Sequence, residues 1–207
     1  MPPLLVLGTH NKKKLAELQQ LLSPHGFELR TLADYSHALN VDETGNTFTE
    51  NARLKACVQA RHLKQWVLAE DSGLSVDALD GEPGVNSALY AGTHGDDEAN
   101  NNLLLARLAE TPLAERTAHY TCHAVLADPS GQIRAEVEEY CHGRIRTERH
   151  GSGGFGYDPL FEVVEFGQTF GELSPEIKAR ISHRARAMQA MLPRILELSL
   201  GGAWAKS

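Results

Sequence analysis

Five short stretches of the chain gather residue types that handle phosphate, metal or a flat ring. The first is the turn Thr9-His10-Asn11-Lys12-Lys13-Lys14, between an apolar run and a helical pattern. A helix N-terminus there offers amides and a positive dipole end to an anion, and three lysines add charge; a solvated basic turn is an equally ordinary use of them. The glycine spacing of a P-loop is absent. The second and third stretches are acidic. Glu70-Asp71-Ser72-Gly73 follows the apolar Val67-Leu68-Ala69, where a carboxylate can hold Mg²⁺ or orient a water, although Asp-Ser-Gly is also common turn chemistry. Glu43 lies in the turn Asp42-Glu43-Thr44-Gly45, and proximity to other site residues in the fold would decide its role. In the fourth, Gly151 to Asp158, four glycines surround Phe155 and Tyr157; glycines let backbone approach a ligand and rings stack on a heterocycle. The fifth is Ile181-Ser182-His183-Arg184, with Lys178 one turn earlier. A helix junction with ordinary capping and pairing explains it, and so does a nucleotide site.

Two other groupings carry less. His119, Cys122, His123, Cys141 and His142 are zinc-ligand types, but on a strand His119 and Cys122 point to opposite faces, and no CxxC pair exists. Cys57 sits among small apolar helical residues and reads as a core thiol.

The elements that must position these residues are legible in outline. Leu4 to Gly8 is a continuous apolar run, as in a strand buried on both faces. Leu15, Leu18, Leu21 and Leu22 predict a helix from about Asn11 to Leu22, stopped by Pro24 and Gly26. A second helix opens at Thr47 with the capping box Thr47-Phe48-Thr49-Glu50, buries Ala52, Ala56, Ala60 and Leu63, and places Asn51 and Lys55 together on another face. Val67-Leu68-Ala69 predicts a buried strand that stops at Glu70-Asp71, at the strand end where open α/β sheets bind ligands. A helix over Asp97 to Ala109, a hairpin of Thr117–Ala127 and Ile133–Cys141 joined by Asp128 to Gln132, and two helices from Ser174 onward complete the pattern. With no internal repeat and no long linker, residues 1–207 read as a single α/β domain with two lobes around a cleft.

Composition sets limits. Lys+Arg at 20 against Asp+Glu at 27 gives a net charge of -7, unlike a general nucleic-acid coat protein. At 42% hydrophobic and 23% charged, the 207 residues have material for a core and are not disordered. No apolar run approaches a membrane span and no signal-like N-terminus is present. With three sparse cysteines, this predicts a cytoplasmic protein with free thiols and no membrane partner.

Taken in order, Thr9-x-Asn11-x-x-Lys14, Glu43-Thr44-Gly45-Asn46-Thr47-Phe48-Thr49-Glu50-Asn51-Ala52, Ala69-Glu70-Asp71-Ser72-Gly73-Leu74, Gly153-Gly154-Phe155-Gly156-Tyr157-Asp158-Pro159 and Ile181-Ser182-His183-Arg184 resemble the inosine triphosphate pyrophosphatase family, and in it the bacterial dITP/XTP pyrophosphatases. The resemblance runs from about residue 4 to residue 196. It implies an elongated mixed sheet flanked by helices, two lobes with a central nucleotide-binding cleft, and a homodimer. It also implies a Mg²⁺-dependent hydrolase that cleaves ITP, dITP and XTP to monophosphate and pyrophosphate, cleansing the nucleotide pool.

Matched residue by residue, Thr9, His10, Asn11, Lys12, Lys13 and Lys14 would line the triphosphate and Lys55 would assist. Asp71 would be the proton acceptor and a metal ligand, and Glu43 the second metal ligand. Ser72, Phe155, Gly156, Tyr157, Asp158, Lys178, His183 and Arg184 would bind substrate. The chain departs from the family pattern at Glu70, where Asp is usual; at His10, where Gly is common; and at Asn86 and Leu89, where Tyr and Arg are frequent. Two alternatives are a related pyrophosphatase for pyrimidine or modified nucleotides and a module that senses nucleotides without cutting them. Two carboxylates, Asp71 and Glu43, favour catalysis over sensing.

Overall fold

The N-terminal apolar run forms strand β1 (Leu4–Leu7), whose side chains alternate between two separate cores. The computed structural model describes residues 2–202 and 204. Among them are six further strands: β2 (Glu28–Thr31), β3 (Val67–Val76), β4 (Thr117–Ala127), β5 (Ile133–Ile145), β6 (Phe161–Val163) and β7 (Gln168–Thr169). All seven join one sheet in the order β2-β1-β3-β4-β5-β6-β7. The helices are α1 (Lys12–Leu22), α2 (Phe48–Leu63), α3 (Asp97–Arg107), α4 (Pro175–Ile181) and α5 (His183–Leu200).

The sheet is mixed. β1 pairs in parallel with β2 and β3, while β6 is antiparallel to both β5 and β7. Asp128 to Gln132 closes a short loop between β4 and β5, with the Asp128 amide donating to the Gln132 carbonyl at 2.9 Å. So short a link permits only an antiparallel pair.

The chain divides into two compact units. The first comprises the residues up to Asp71, Cys122–Glu139 and the residues from Arg184 on. Its central strands β1, β3 and β4 are buried on both faces. Leu5, Leu7, Leu68, Cys122, Ala124 and Leu126 pack with Leu18 and Leu22 of α1 and Met188, Met191 and Ile195 of α5. Val6, Val67, Ala69, Val125 and Ala127, one residue out of phase, pack with Ala52, Ala56 and Ala60 of α2. Period-two alternation between two helix layers explains why β1 reads as an unbroken apolar run. The second unit, Ser72–Thr121 with Tyr140–His183, has its own core around Leu74, Leu104, Tyr120, Phe161 and Phe170. Among the described residues no helix is long and apolar enough to cross a membrane.

Three details depart from expectation. β3 does not stop at Glu70-Asp71 but continues to Val76, so both carboxylates lie inside a strand. The box at Thr47 is half formed: Thr47 Oγ1 caps the Glu50 amide at 3.1 Å, but the Glu50 carboxylate accepts from Asn46 at 2.7 Å rather than from Thr47. β5 extends four residues past Cys141 to Ile145, and the short strands β2, β6 and β7 had no expectation at all.

Candidate active site

The acidic dipeptide is split by strand geometry. Neighbouring residues of a strand point to opposite faces, so Asp71 follows Val67 and Ala69 toward α2 while Glu70 follows Leu68 toward α1 and α5. On the α2 side, Lys55 Nζ lies 3.0 Å from Asp71 Oδ1 and 2.8 Å from Glu43 Oε2. Asn51, one turn before Lys55, donates to Asp71 Oδ2 at 3.2 Å, and its Oδ1 accepts the Gly45 amide at 2.8 Å. Asn51 therefore ties the Glu43 loop to Asp71. Only glycine fits at position 45, because a Cβ there would stand 2.6 Å from Glu50 Cβ and 2.7 Å from Asn51 Oδ1.

Charge follows from this packing. Burial raises the Asp71 carboxyl above its ordinary range, opposed by Lys55 and Lys14 and reinforced by Glu43. Burial acts the same way on Glu43, but there Lys55 wins and the net shift is downward. Burial lowers the Lys55 ammonium, yet Asp71, Glu43 and Glu70 outweigh it and hold the group charged.

On the opposite face Glu70, 1% exposed, is held by Arg184, whose Nε and Nη2 donate to Oε1 at 3.2 and 3.0 Å. Arg184 Nη1 also donates to Glu17 of α1, and Lys14 Nζ lies 3.5 Å from Glu70 Oε1. Burial opposes the Arg184 charge, but Glu70 and Glu17 more than offset it. At 1% exposure Arg184 anchors Glu70 and α1 rather than facing solvent.

In the turn before α1, Asn11 caps the helix: its Oδ1 accepts the Lys13 and Lys14 amides at 3.0 and 3.2 Å, and Thr9 Oγ1 accepts the Asn11 amide at 3.1 Å. Two amides expected to face an anion are thus bonded within the turn, which leaves the lysine side chains as its cationic surface. Lys12 and Lys13 are exposed and Lys14 is half-buried. His10 Nε2 stands 3.2 Å from the Leu39 carbonyl, to which Gln59 Nε2 also donates.

The second unit gathers most of the remaining candidates. Asp158 Oδ2 accepts from Lys178 Nζ at 2.6 Å and from the Phe155 amide at 2.8 Å. Lys178 Nζ lies 4.7 Å from the centre of the Phe155 ring, a cation–π arrangement. Tyr157 is 3% exposed and donates to the Ser87 carbonyl at 2.8 Å; burial, with Tyr90 and Asp97 nearby, raises its hydroxyl well above the ordinary range. Gly156 (φ +61°) is bonded through both its N–H and its C=O to α3. His183, 5% exposed, stacks on Tyr120 with centroids 4.6 Å apart. Ser72, half-buried, directly follows Asp71 on β3.

Residues 5–194 match the model of the Ham1 family. The chain belongs to the Ham1 family. It is similar to a dITP/XTP pyrophosphatase of Rhodopirellula baltica, 54% identical over 194 residues that cover 94% of this chain and 93% of that protein. It is also similar to a dITP/XTP pyrophosphatase of Desulforamulus reducens, 48% identical over 89% of this chain and 92% of the relative. Among solved structures, a HAM1 protein from Coxiella burnetii superposes with a TM-score of 0.86 at 34% identity, covering 95% of this chain and all of that one.

Four residues that hold the candidates in place were not among those drawn from the sequence: Glu17 and Asn51 in the first unit, Asp97 and Asn101 in the second. Asn51 had a signal, its i, i+4 relation to Lys55 on one helix face. The other three are polar helix residues whose partners lie 167, 59 and 55 positions away in sequence. Of the family departures, Glu70 meets Arg184 and Lys14, while Asn86 and Leu89 are exposed.

Proposed function

We propose that this Ham1-family chain hydrolyses deaminated purine nucleoside triphosphates, namely ITP, dITP and XTP, to the monophosphate and pyrophosphate. In this reading it is a Mg²⁺-dependent, cytoplasmic, homodimeric enzyme that removes damaged nucleotides before they are incorporated. The observation that carries the reading is the convergence of Glu43 and Asp71 on Lys55 Nζ, at 2.8 and 3.0 Å. Two carboxylates aimed at one cation-sized position suit the chemistry of a polyanionic substrate, and the names of the relatives point to the same class.

The residues fit Mg²⁺. Among the described residues no group of three or more His, Cys, Asp or Glu forms a metal cage. Mg²⁺ needs none, since it keeps several waters and binds through one or two carboxylates plus substrate phosphates. Glu43 and Asp71 would hold it, and once bound it would offset phosphate charge and acidify a coordinated water.

The chain's own groups do the rest. Lys12, Lys13, Lys14 and Lys55 offset the triphosphate charge, as an anionic transition state requires. Asp71, with its carboxyl raised by burial, orients the attacking water and accepts its proton. The water oxygen bonds to the α-phosphorus as the bond to the bridging oxygen breaks, and pyrophosphate leaves with the electron pair. In the second unit Phe155 offers a ring face, and Lys178, Asp158 and His183 surround the base. A donor placed for a purine 6-oxo group meets a like donor in the 6-amino group of adenine and leaves both unpaired, which discriminates steeply.

The test is a substrate panel of dITP, XTP, dATP and dGTP with Mg²⁺, scoring pyrophosphate against orthophosphate. Pyrophosphate from dITP and XTP, with little from dATP and dGTP, is expected. Orthophosphate as the released product would overturn the reading, and binding without turnover would make the chain a sensor.

A further inference from the structure

The residue between Phe155 and Tyr157 is gripped from both sides by α3. Asp97 Oδ2 accepts the Gly156 N–H at 3.0 Å, and Asn101 Nδ2 donates to the Gly156 carbonyl at 2.8 Å. The same amide nitrogen donates to the Asp97 carbonyl of its own helix at 2.6 Å. Asp97 and Asn101 are four residues apart and so share one helix face.

The orientation of Asn101 has one consistent solution. Its nitrogen faces two carbonyl oxygens; a flipped amide would set its own oxygen against both. The consequence is that Asn101 Oδ1, on a residue 3% exposed, has no protein donor among the described residues. A buried oxygen left unmet is a cost that simple packing would avoid with an apolar side chain. What Asn101 holds in return is the Gly156 peptide, bent into a φ of +61°.

The rest of the loop is pinned elsewhere. Asp158 fixes the Phe155 amide and Lys178, and the Tyr157 hydroxyl is anchored on Ser87. With Gly156 held on both its donor and its acceptor, the ring of Phe155 has little freedom to shift relative to Lys178.

We propose that Asp97 and Asn101 are positioning residues for purine recognition: by fixing the Gly156 peptide they set where Phe155 meets the base, without touching the nucleotide themselves. This rests on the reading of the 155–158 loop as the base site. Losing the acceptor or the donor lets the loop move, which weakens base binding but leaves the phosphate chemistry of the first unit intact.

The experiment compares wild type, Asp97→Ala, Asp97→Asn and Asn101→Ala in steady-state kinetics with dITP and dGTP. Inhibition by inorganic tripolyphosphate, a phosphate chain without a base, is measured alongside. Asp97→Ala and Asn101→Ala are expected to raise KM for dITP about tenfold, the equivalent of one hydrogen bond, with kcat changed less than about twofold and the preference for dITP over dGTP narrowed. Asp97→Asn keeps an acceptor oxygen and should retain a KM near wild type, and tripolyphosphate inhibition should be unchanged throughout. Unchanged KM in both alanine variants overturns the inference. So does tripolyphosphate inhibition lost in parallel with KM, or an Asp97→Asn variant as impaired as Asp97→Ala. If Asp97→Ala fails to fold, Asn101→Ala decides alone. Absence of dITP turnover in the wild type would sink the proposed function and this inference with it; normal wild-type turnover with unaffected variants sinks the inference alone.

Discussion

Replacing Lys55 with Met removes the cation on which Glu43 and Asp71 converge, and the size and pH dependence of the loss follow from the geometry. The Lys55 side chain is 12% exposed and that of Asp71 8%, so their 3.0 Å contact is a buried pair; Glu43 is 46% exposed, and its contact contributes little. Breaking a buried pair leaves one charge uncompensated and typically costs about 3–5 kcal/mol. Asp71 has an escape, since it can take up a proton. From an ordinary value of 3.8, keeping it neutral at pH 7 costs at most about 4 kcal/mol at 1.36 kcal/mol for each unit of pH.

We therefore expect Lys55→Met to be about 3 kcal/mol less stable than wild type at pH 7 without added metal. The sign of the pH dependence is fixed. Loss of Lys55 raises the folded-state pKa of Asp71 further, so the deficit grows above the unfolded value and shrinks as pH falls toward it. At pH 5 the same reasoning caps the Asp71 contribution at about 1.6 kcal/mol. Urea unfolding of both proteins at pH 7 and pH 5, in the presence of a chelator, reads the difference. A deficit that does not change with pH, or a variant as stable as wild type at pH 7, would refute the placement of Lys55 as the counter-ion of a buried Asp71.

Two further outcomes test other parts of the structure. Gly154→Ala places a methyl group 2.0 Å from Asp158 Oδ2 at a φ of +72°, so it must displace the carboxylate that holds Lys178 and Phe155; KM for dITP should rise with stability reduced by about 1–2 kcal/mol, measured by kinetics and thermal unfolding. Glu162 accepts two hydrogen bonds from Arg144 that, against burial, hold its carboxyl below the ordinary 4.5; Glu162→Gln should lower Tm by about 2–4 °C at pH 7, and the gap should close as pH falls through the depressed folded value, read by thermal scans across pH.

How far the sequence carried depended on whether a feature was local. The Thr47 cap, the Ala52, Ala56 and Ala60 stripe and the loop between β4 and β5 are written in spacings of two to four residues, and these elements formed where expected. The turn before α1 and the glycine-rich loop were visible because lysines and glycines crowd into a few positions. The continuation of β3 past Asp71 was not. Two adjacent carboxylates look like a turn, and what permits them inside a buried strand is a countercharge from α2 on one face and from α5 on the other, Lys55 and Arg184. Arg184 illustrates the same limit: its donation to Glu17, 167 residues away, and to Glu70 is visible only in the folded chain. Asp97 and Asn101 carried no signal, since their partner is a backbone peptide that only the folded chain brings to them. The edge strand β2 escaped because its inward face carries one apolar side chain, Leu29, beside Thr31, too few to show an alternation.

If water attacks the α-phosphorus and pyrophosphate leaves intact, the incoming oxygen ends in the monophosphate. Hydrolysis of dITP in ¹⁸O-labelled water, with the products separated and weighed by mass spectrometry, tests it directly. One labelled oxygen is expected in the monophosphate and none in the pyrophosphate; label in the pyrophosphate, or labelled orthophosphate as the released product, would mean that water attacks a different phosphorus.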